Sequence, residues 1–511
     1  MQSADLIKTG IAGLDEILPG GIPRGNVILV EGAIGTGKTT IGVEFVYRGA
    51  SEFGEPGIIV LFEVSPHKLM RDALQFGWNL EELERNGRLK IIFTTREVLR
   101  QELQQADSVL LAEAAEIGAR RIFIDGVGRL VGNDGTPETR STFHVLTEGL
   151  QREDLTAILA VEASLNGGNG SEPSLAEESI ADTVIRLRVE EAQRAVSRSI
   201  EIVKSRGQDF RMGRHTIRIL DGEGIRVYRR VQAPRKGRDY AAAFDPSTRV
   251  TSGIPGLDGL LNGGYFSGST TVVAGISGVG KSVMALQYMA EGARCGEHSL
   301  MLSLDEQVPQ ILRNASSVGI DLDGAIKSGF VHVEYEPPQE IEVDVHFYHI
   351  EQLVREFKPR RVVIDSLSTY GSALGTNGRI FRDFFHALTA LMKESQIAAV
   401  YNHENPEMLG MASMMGEFAM SSLVDNILLM NWIELGDCFR LGLTVAKMRA
   451  NPVDRITHEC EIVEGHGMRV LPRVIPPSKA PFSTFAGLIS RAPTRRAGLE
   501  ALLRADDADE D

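Results

Sequence analysis

A seven-residue phrase occurs twice in this chain. Thr9-Gly10-Ile11-Ala12-Gly13-Leu14-Asp15 returns as Ser252-Gly253-Ile254-Pro255-Gly256-Leu257-Asp258, a displacement of 243 residues from Asp15 to Asp258. The same displacement carries Lys38 to Lys281, each inside a GxxxxGK(S/T) pattern, and one of 240 carries Asp125 to Asp365. Collinear series at nearly one spacing indicate a duplication, so the chain reads as two copies of one domain. Its 511 residues are also too many for one ordinary hydrophobic core.

The join is marked by composition. Gln232 to Thr248, rich in Pro, Gly, Ala and charge, reads as a linker. The expected domains are 1–235 and 249–474, with a linker at 236–248 and a tail at 475–511. Within each copy short apolar runs alternate with helical patterns, as in a parallel sheet covered by helices. Strands are expected at Asn26 to Val30, Ile58 to Phe62 and Arg121 to Ile124, and at Thr270 to Ala274, Leu300 to Leu304 and Arg361 to Ile364. Their Val, Ile and Leu content suits burial on both faces. Thr183 to Val203 and Asn426 to Ala446 alternate as β-structure does and are expected to extend the sheets.

The two glycine-rich loops each lie between a strand and a helix, the context a phosphate-binding loop requires. Glycines let backbone amides turn inward around phosphate oxygens, and the helix N-terminus adds partial positive charge. The nucleotide-binding set expected is Gly32, Gly35, Thr36, Gly37, Lys38, Thr39 and Thr40, then Gly275, Ser277, Gly278, Val279, Gly280, Lys281, Ser282 and Val283. Lys38 and Lys281 reach for the β and γ phosphates of ATP, while Thr39 and Ser282 offer a hydroxyl to Mg²⁺. The fold class is therefore α/β: two tandem RecA-like P-loop NTPase domains, each a mostly parallel sheet flanked by helices.

Asp125 and Asp365 end apolar strands 87 and 84 residues after the loop lysines. The carboxyl edge of an open α/β sheet is where ligand groups gather, and both fit the Walker B role of orienting magnesium and its waters. Hydrolysis further needs a group that positions and deprotonates water. In RecA-like domains this carboxylate follows the strand after the P-loop helix, which selects Glu63, and Asp305 with Glu306.

These features together resemble the KaiC family of two-domain ATPases, over roughly residues 5 to 470. A further element of the resemblance is Lys204-Ser205-Arg206-Gly207, echoed by Lys447-Met448-Arg449-Ala450. The resemblance implies that Lys204, Arg206, Lys447 and Arg449 reach a neighbouring subunit's γ-phosphate, and that the chain forms ATP-dependent homohexamers. It also implies serine/threonine autokinase activity in the second domain, with Ser421 and Ser422 as candidate acceptors. The corresponding positions of the first copy are Glu178 and Ser179, so paired hydroxyls occur only in the second. Val64 departs from the family by replacing the second of its paired glutamates, and Asp305 is one methylene shorter than the family's residue. In this family the C-terminal segment can dock a protein regulator; the tail here carries no motif for one and reads as a solvated, flexible terminus.

Composition narrows the alternatives. The formal net charge of −15 opposes a phosphate backbone, and no basic patch is visible. A RecA/RadA-type DNA-dependent ATPase is thus the alternative reading, and a scaffold cemented by unhydrolysed ATP is another. Cys295, Cys438 and Cys460 show no CxxC spacing and are expected to be buried small hydrophobes in a reducing cytoplasm. Neither a signal peptide nor a membrane span is expected.

Overall fold

The computed structural model describes residues 5–104, 108–127, 137–162, 176–192, 195–232, 248–374, 378–404, 422–435, 438–453 and 455–472. The chain divides into two compact units, Met1–Arg230 and Val231–Asp511. Val231 already belongs to the second, its amide donating to Asp344 at 2.8 Å and its side chain packing in that unit's core.

In the first unit β1 (Val27–Gly32) leads into α1 (Lys38–Glu52). There follow β2 (Gly57–Leu61), β3 (Leu89–Phe93), β4 (Arg121–Ile124), β5 (Thr156–Glu162), β6 (Thr183–Ala192), β7 (Ala195–Ser205), β8 (Arg214–Leu220) and β9 (Gly224–Tyr228). Their order across the sheet is β9-β8-β7-β6-β1-β5-β4-β2-β3. The six strands from β6 to β3 are parallel, and β7, β8 and β9 add an antiparallel flank. The second unit repeats this with β10 (Thr270–Gly275), α2 (Lys281–Arg294), β11 (Ser299–Ser303), β12 (Val331–Tyr335), β13 (Arg361–Asp365), β14 (Ala398–Glu404), β15 (Asn426–Leu435), β16 (Cys438–Met448), β17 (Thr457–Val463) and β18 (Gly467–Val470). Its order, β18-β17-β16-β15-β10-β14-β13-β11-β12, is the same topology strand for strand.

Alternation along each central strand feeds two cores. Ile28 and Val30 of β1 pack with Ile41 and Phe45 of α1, whereas Val27 and Leu29 join Phe143 and Leu150 on the opposite face. In the second unit Val273 packs with Met284 and Met289 of α2, while Val272 faces Phe385 and Leu388. A central strand buried on both faces cannot shift register without exposing apolar side chains. Its C-terminal end is thereby fixed, and the loop that follows it is placed.

The expected strands form with their ends moved by at most two residues, and the alternating stretches become the hairpins β6–β7 and β15–β16. Cys460 is buried as expected, whereas Cys438 is half-buried and Cys295 exposed; all three are free. Cys295 ends the last turn of α2, where the helix leaves the core. No described helix is long and apolar enough to cross a membrane.

Candidate functional site

Each site begins where a buried strand meets a helix that lacks a side-chain cap. Gly37 and Gly280 precede α1 and α2 at φ 102° and 86°, a left-handed conformation that suits glycine. Neither helix has a side-chain cap hydrogen bond, so its first amides remain directed toward the loop and available to an anion. Thr36 and Val279 are buried beneath their loops, and Thr36 Oγ1 donates to the Ala33 carbonyl at 2.8 Å. Their side chains brace the loop from below, leaving main-chain groups to meet a ligand. Gly35, Ser277 and Gly278 sit on the exposed side, with Thr40 and Val283 half-buried in the first helical turn.

The two lysines have one arrangement. Lys38 Nζ donates to the carbonyls of Gly32 and Ala33, and Lys281 Nζ to those of Gly275 and Ile276, all at 2.8 Å. Burial lowers the pKa of each lysine, opposed for Lys38 by Glu162 and then Asp125, and for Lys281 by Glu404 and then Asp365. Glu162 and Glu404 end β5 and β14, opposite Gly32 and Gly275 in register. Sequence reading passed over both, although a carboxylate ending an apolar run beside the P-loop strand is the same signal that marks Asp125.

The strand-end aspartates meet the first turns of the helices. Thr39 Oγ1 donates to Asp125 Oδ2 and Ser282 Oγ to Asp365 Oδ2, both at 2.8 Å across 86 and 83 residues of chain. Burial raises the pKa of both aspartates, against the lowering effect of these hydroxyls. A hydroxyl and a carboxylate held together beside a lysine and a row of uncapped amides fit Mg·ATP: hard oxygen donors for the cation, N–H groups and an ammonium for the phosphates.

The water-positioning candidates diverge. Glu63 lies past β2 and pairs with Arg96 at 2.6 Å, its side chain 67% exposed. Asp305 lies past β11 and accepts from Ser366 Oγ at 3.0 Å and from Thr369 Oγ1 at 2.8 and 2.9 Å. Glu306 is directed elsewhere, to Gln310 at 3.2 Å and Asn314 at 3.0 Å on the following helix. Asp305 therefore faces the Walker B side and Glu306 does not. Val64 is half-buried against the first core.

Lys204 and Arg206 turn onto carbonyls of their own chain. Lys204 Nζ donates to Glu178, Ser179 and Ala181 at 2.9, 3.3 and 2.7 Å, and Arg206 Nη2 to Ser179 at 2.9 Å. Lys447 Nζ and Arg449 Nη2 likewise donate to Val424 and Ser422 at 2.7 and 2.6 Å. Ser422 is exposed; Ser421 lies outside the described residues, as does the tail at 475–511. One buried group unforeseen from sequence is Glu31, which directly precedes Gly32. It pairs with Arg186, which reaches Glu178 at 3.1 Å, and burial pushes its pKa up to about 7. Ala274 and Leu429 hold the register-equivalent places in the second unit.

Two nine-stranded sheets of identical order, each with a lysine-bearing glycine-rich loop and a strand-end aspartate, define a tandem RecA-like P-loop protein. The family model described as ATPase, KaiC matches residues 7–232 and 250–474. The circadian clock oscillator protein KaiC of Picosynechococcus sp. is 31% identical over 503 residues, covering 97% of this chain and 93% of its own. That of Thermostichus vulcanus is 31% identical over 497 residues, covering 96% and 92%. The circadian clock protein KaiC3 of Synechocystis sp. is 29% identical, covering 95% and 94%. The chain belongs to the KaiC ATPase family.

Proposed function

We propose that this protein is a cytoplasmic ring-forming ATPase that binds Mg·ATP in both halves and autophosphorylates serine in the second, serving signalling or timing. The observation that carries the reading is the duplicated pair of Thr39 with Asp125 and Ser282 with Asp365, each beside a lysine that donates to its own loop. Lys38 and Lys281 exchange loop carbonyls for phosphate oxygens, which answer a positive charge better than a neutral carbonyl does. Thr39, Asp125, Ser282 and Asp365 are the groups that would hold Mg²⁺ and its waters. The cation supplies neutralisation of charge across the phosphates. Asp305, held by two hydroxyl groups, orients the attacking hydroxyl or water and takes its proton.

Phosphoryl transfer to serine forms a bond from the serine oxygen to the γ-phosphorus and breaks the bond to the bridging oxygen of ADP. The acceptor expected is Ser421 or Ser422, just ahead of Asp425, itself tied to Arg449 at 3.2 Å. Lys204, Arg206, Lys447 and Arg449 act in a homohexamer once a neighbour's phosphate replaces their present carbonyl partners. Intact-mass analysis after incubation with Mg·ATP tests the kinase: added phosphate on the peptide holding Ser421 and Ser422 is expected, and its absence rejects the activity. Phosphate release is expected to be unchanged by single-stranded DNA, since the chain is acidic. Stimulation by DNA would favour the RecA/RadA-type reading instead.

A further inference from the structure

The two units treat their strand-end carboxylate in opposite ways. Asp305 is bound by the neutral hydroxyls of Ser366 and Thr369, whereas Glu63 is bound by a guanidinium. Arg96 begins a helix three residues past the end of β3, and its guanidinium is held on three sides. Nη2 donates to Glu63 at 2.6 Å, Nε donates to the Gly126 carbonyl at 3.1 Å, and the group lies 5.1 Å from the centre of the Phe62 ring. Gly126 directly follows Asp125, so Arg96 spans from the end of β2 to the end of β4. Three residues past β12, the equivalent place in the second unit, stands Pro338, which carries no charge.

We propose that Arg96 is a positioning residue of the first ATP site, one that restrains hydrolysis by withholding Glu63 from the attacking water. This rests on the reading that Glu63 is the water-positioning carboxylate of that site. In the step concerned, the water oxygen bonds to the γ-phosphorus, the bond to the bridging oxygen of ADP breaks, and the water's proton passes to Glu63. The ion pair occupies a Glu63 lone pair that would take this proton, and its positive charge cancels the charge that attracts it. Val64, where a second carboxylate would stand, has no lone pair to offer, so the restraint on Glu63 is not bypassed. The hydroxyls on Asp305 also occupy lone pairs but bring no positive charge, so the second site lacks the ionic part of this brake.

The test uses the full chain carrying Lys281→Ala, so that phosphate release reports the first site. Arg96→Gln is expected to raise kcat about two- to five-fold, the size a pair with one exposed partner can impose, with KM for ATP unchanged. Arg96→Lys, which keeps the charge but cannot hold Glu63 and the Gly126 carbonyl together, is expected to give a smaller rise. Glu63→Gln is expected to lower kcat at least about ten-fold, and adding Arg96→Gln to it to restore nothing. An unchanged or lower kcat in Arg96→Gln, with Glu63→Gln still impaired, overturns the restraint alone. Undiminished turnover in Glu63→Gln removes the assignment of Glu63 and the restraint with it. A rise that persists without Glu63, or one matched by a raised KM, also overturns the proposal. Should Arg96→Gln fail to bind ATP by calorimetry, Arg96→Lys decides: a rise supports the restraint and no rise overturns it.

Discussion

Glu44 and Gln287 stand 243 residues apart and do one job with different chemistry. Each lies on a P-loop helix and accepts from an amide of its unit's last strand, Ile225 at 2.8 Å and Met468 at 2.6 Å. Gln287 also donates to the Met468 carbonyl at 3.1 Å, which an ionised Glu44 cannot imitate. Burial raises the Glu44 pKa from 4.5 to about 7, against the Ile225 amide and Arg48. A carboxyl whose folded pKa is raised binds its proton more tightly when folded. Its stabilising effect is complete below pH 4.5 and is lost as pH climbs through about 7. Glu44→Gln is therefore expected to stabilise the protein by about 1–3 kcal/mol at pH 8 and by little near pH 5. Thermal melts at the two pH values check this, and a gain independent of pH contradicts it.

At the scale of elements, the strands that carry Lys204 and Lys447 end differently in the two halves. Gly207 follows β7 at φ 81°, and at the matching place after β16 stands Ala450 at φ 62°. A β-carbon in the left-handed region costs about 1 kcal/mol relative to glycine. Ala450→Gly is expected to raise stability by about that amount. Gly207→Ala is expected to lower it similarly, since an added β-carbon there meets nothing within 4 Å and the effect is backbone strain alone. Denaturant titrations decide, and a loss in Ala450→Gly is the contrary result.

The parallel strands β1, β2 and β4, with their counterparts β10, β11 and β13, were legible because burial on both faces writes an uninterrupted apolar run that stops at a polar residue, as at Ile124 and Asp125, whereas β5 and β14, equally central, were passed over. The loops were legible because phosphate binding demands glycines at fixed spacing. The edge strands β3 and β12 were not, being short and partly exposed, and neither were β8, β9, β17 and β18. The hold of Arg96 on Gly126 and Glu63, and that of Asp305 on Ser366 and Thr369, depend on side-chain rotation against neighbours 30 to 64 residues away, while Glu306 turns to Gln310 and Asn314 on the helix that follows it. No spacing in the chain encodes such a choice. The cradles, by contrast, are local, and local features are what a sequence displays most directly.

For the whole molecule the consequence of duplication is two P-loops of similar construction and different surroundings. The first carries the ionic group of Glu31, Arg186 and Glu178 behind its loop and an arginine on Glu63. The second has apolar Ala274 and Leu429 behind its loop and hydroxyl donors on Asp305. A ring in which Lys204, Arg206, Lys447 and Arg449 serve neighbouring subunits asks each to leave a carbonyl of its own chain, so assembly and ATP binding should be coupled. Native mass measurement is expected to show a large oligomer with Mg·ATP, and a stable monomer under saturating nucleotide contradicts the trans role. Underlying all of this is the claim that both cradles take a triphosphate. Titration calorimetry of the full chain with Mg·ATP tests it directly: two nucleotides per chain are expected, falling to one in Lys38→Ala and to one in Lys281→Ala. A single binding event in the unmodified chain, or two surviving in either variant, would contradict it.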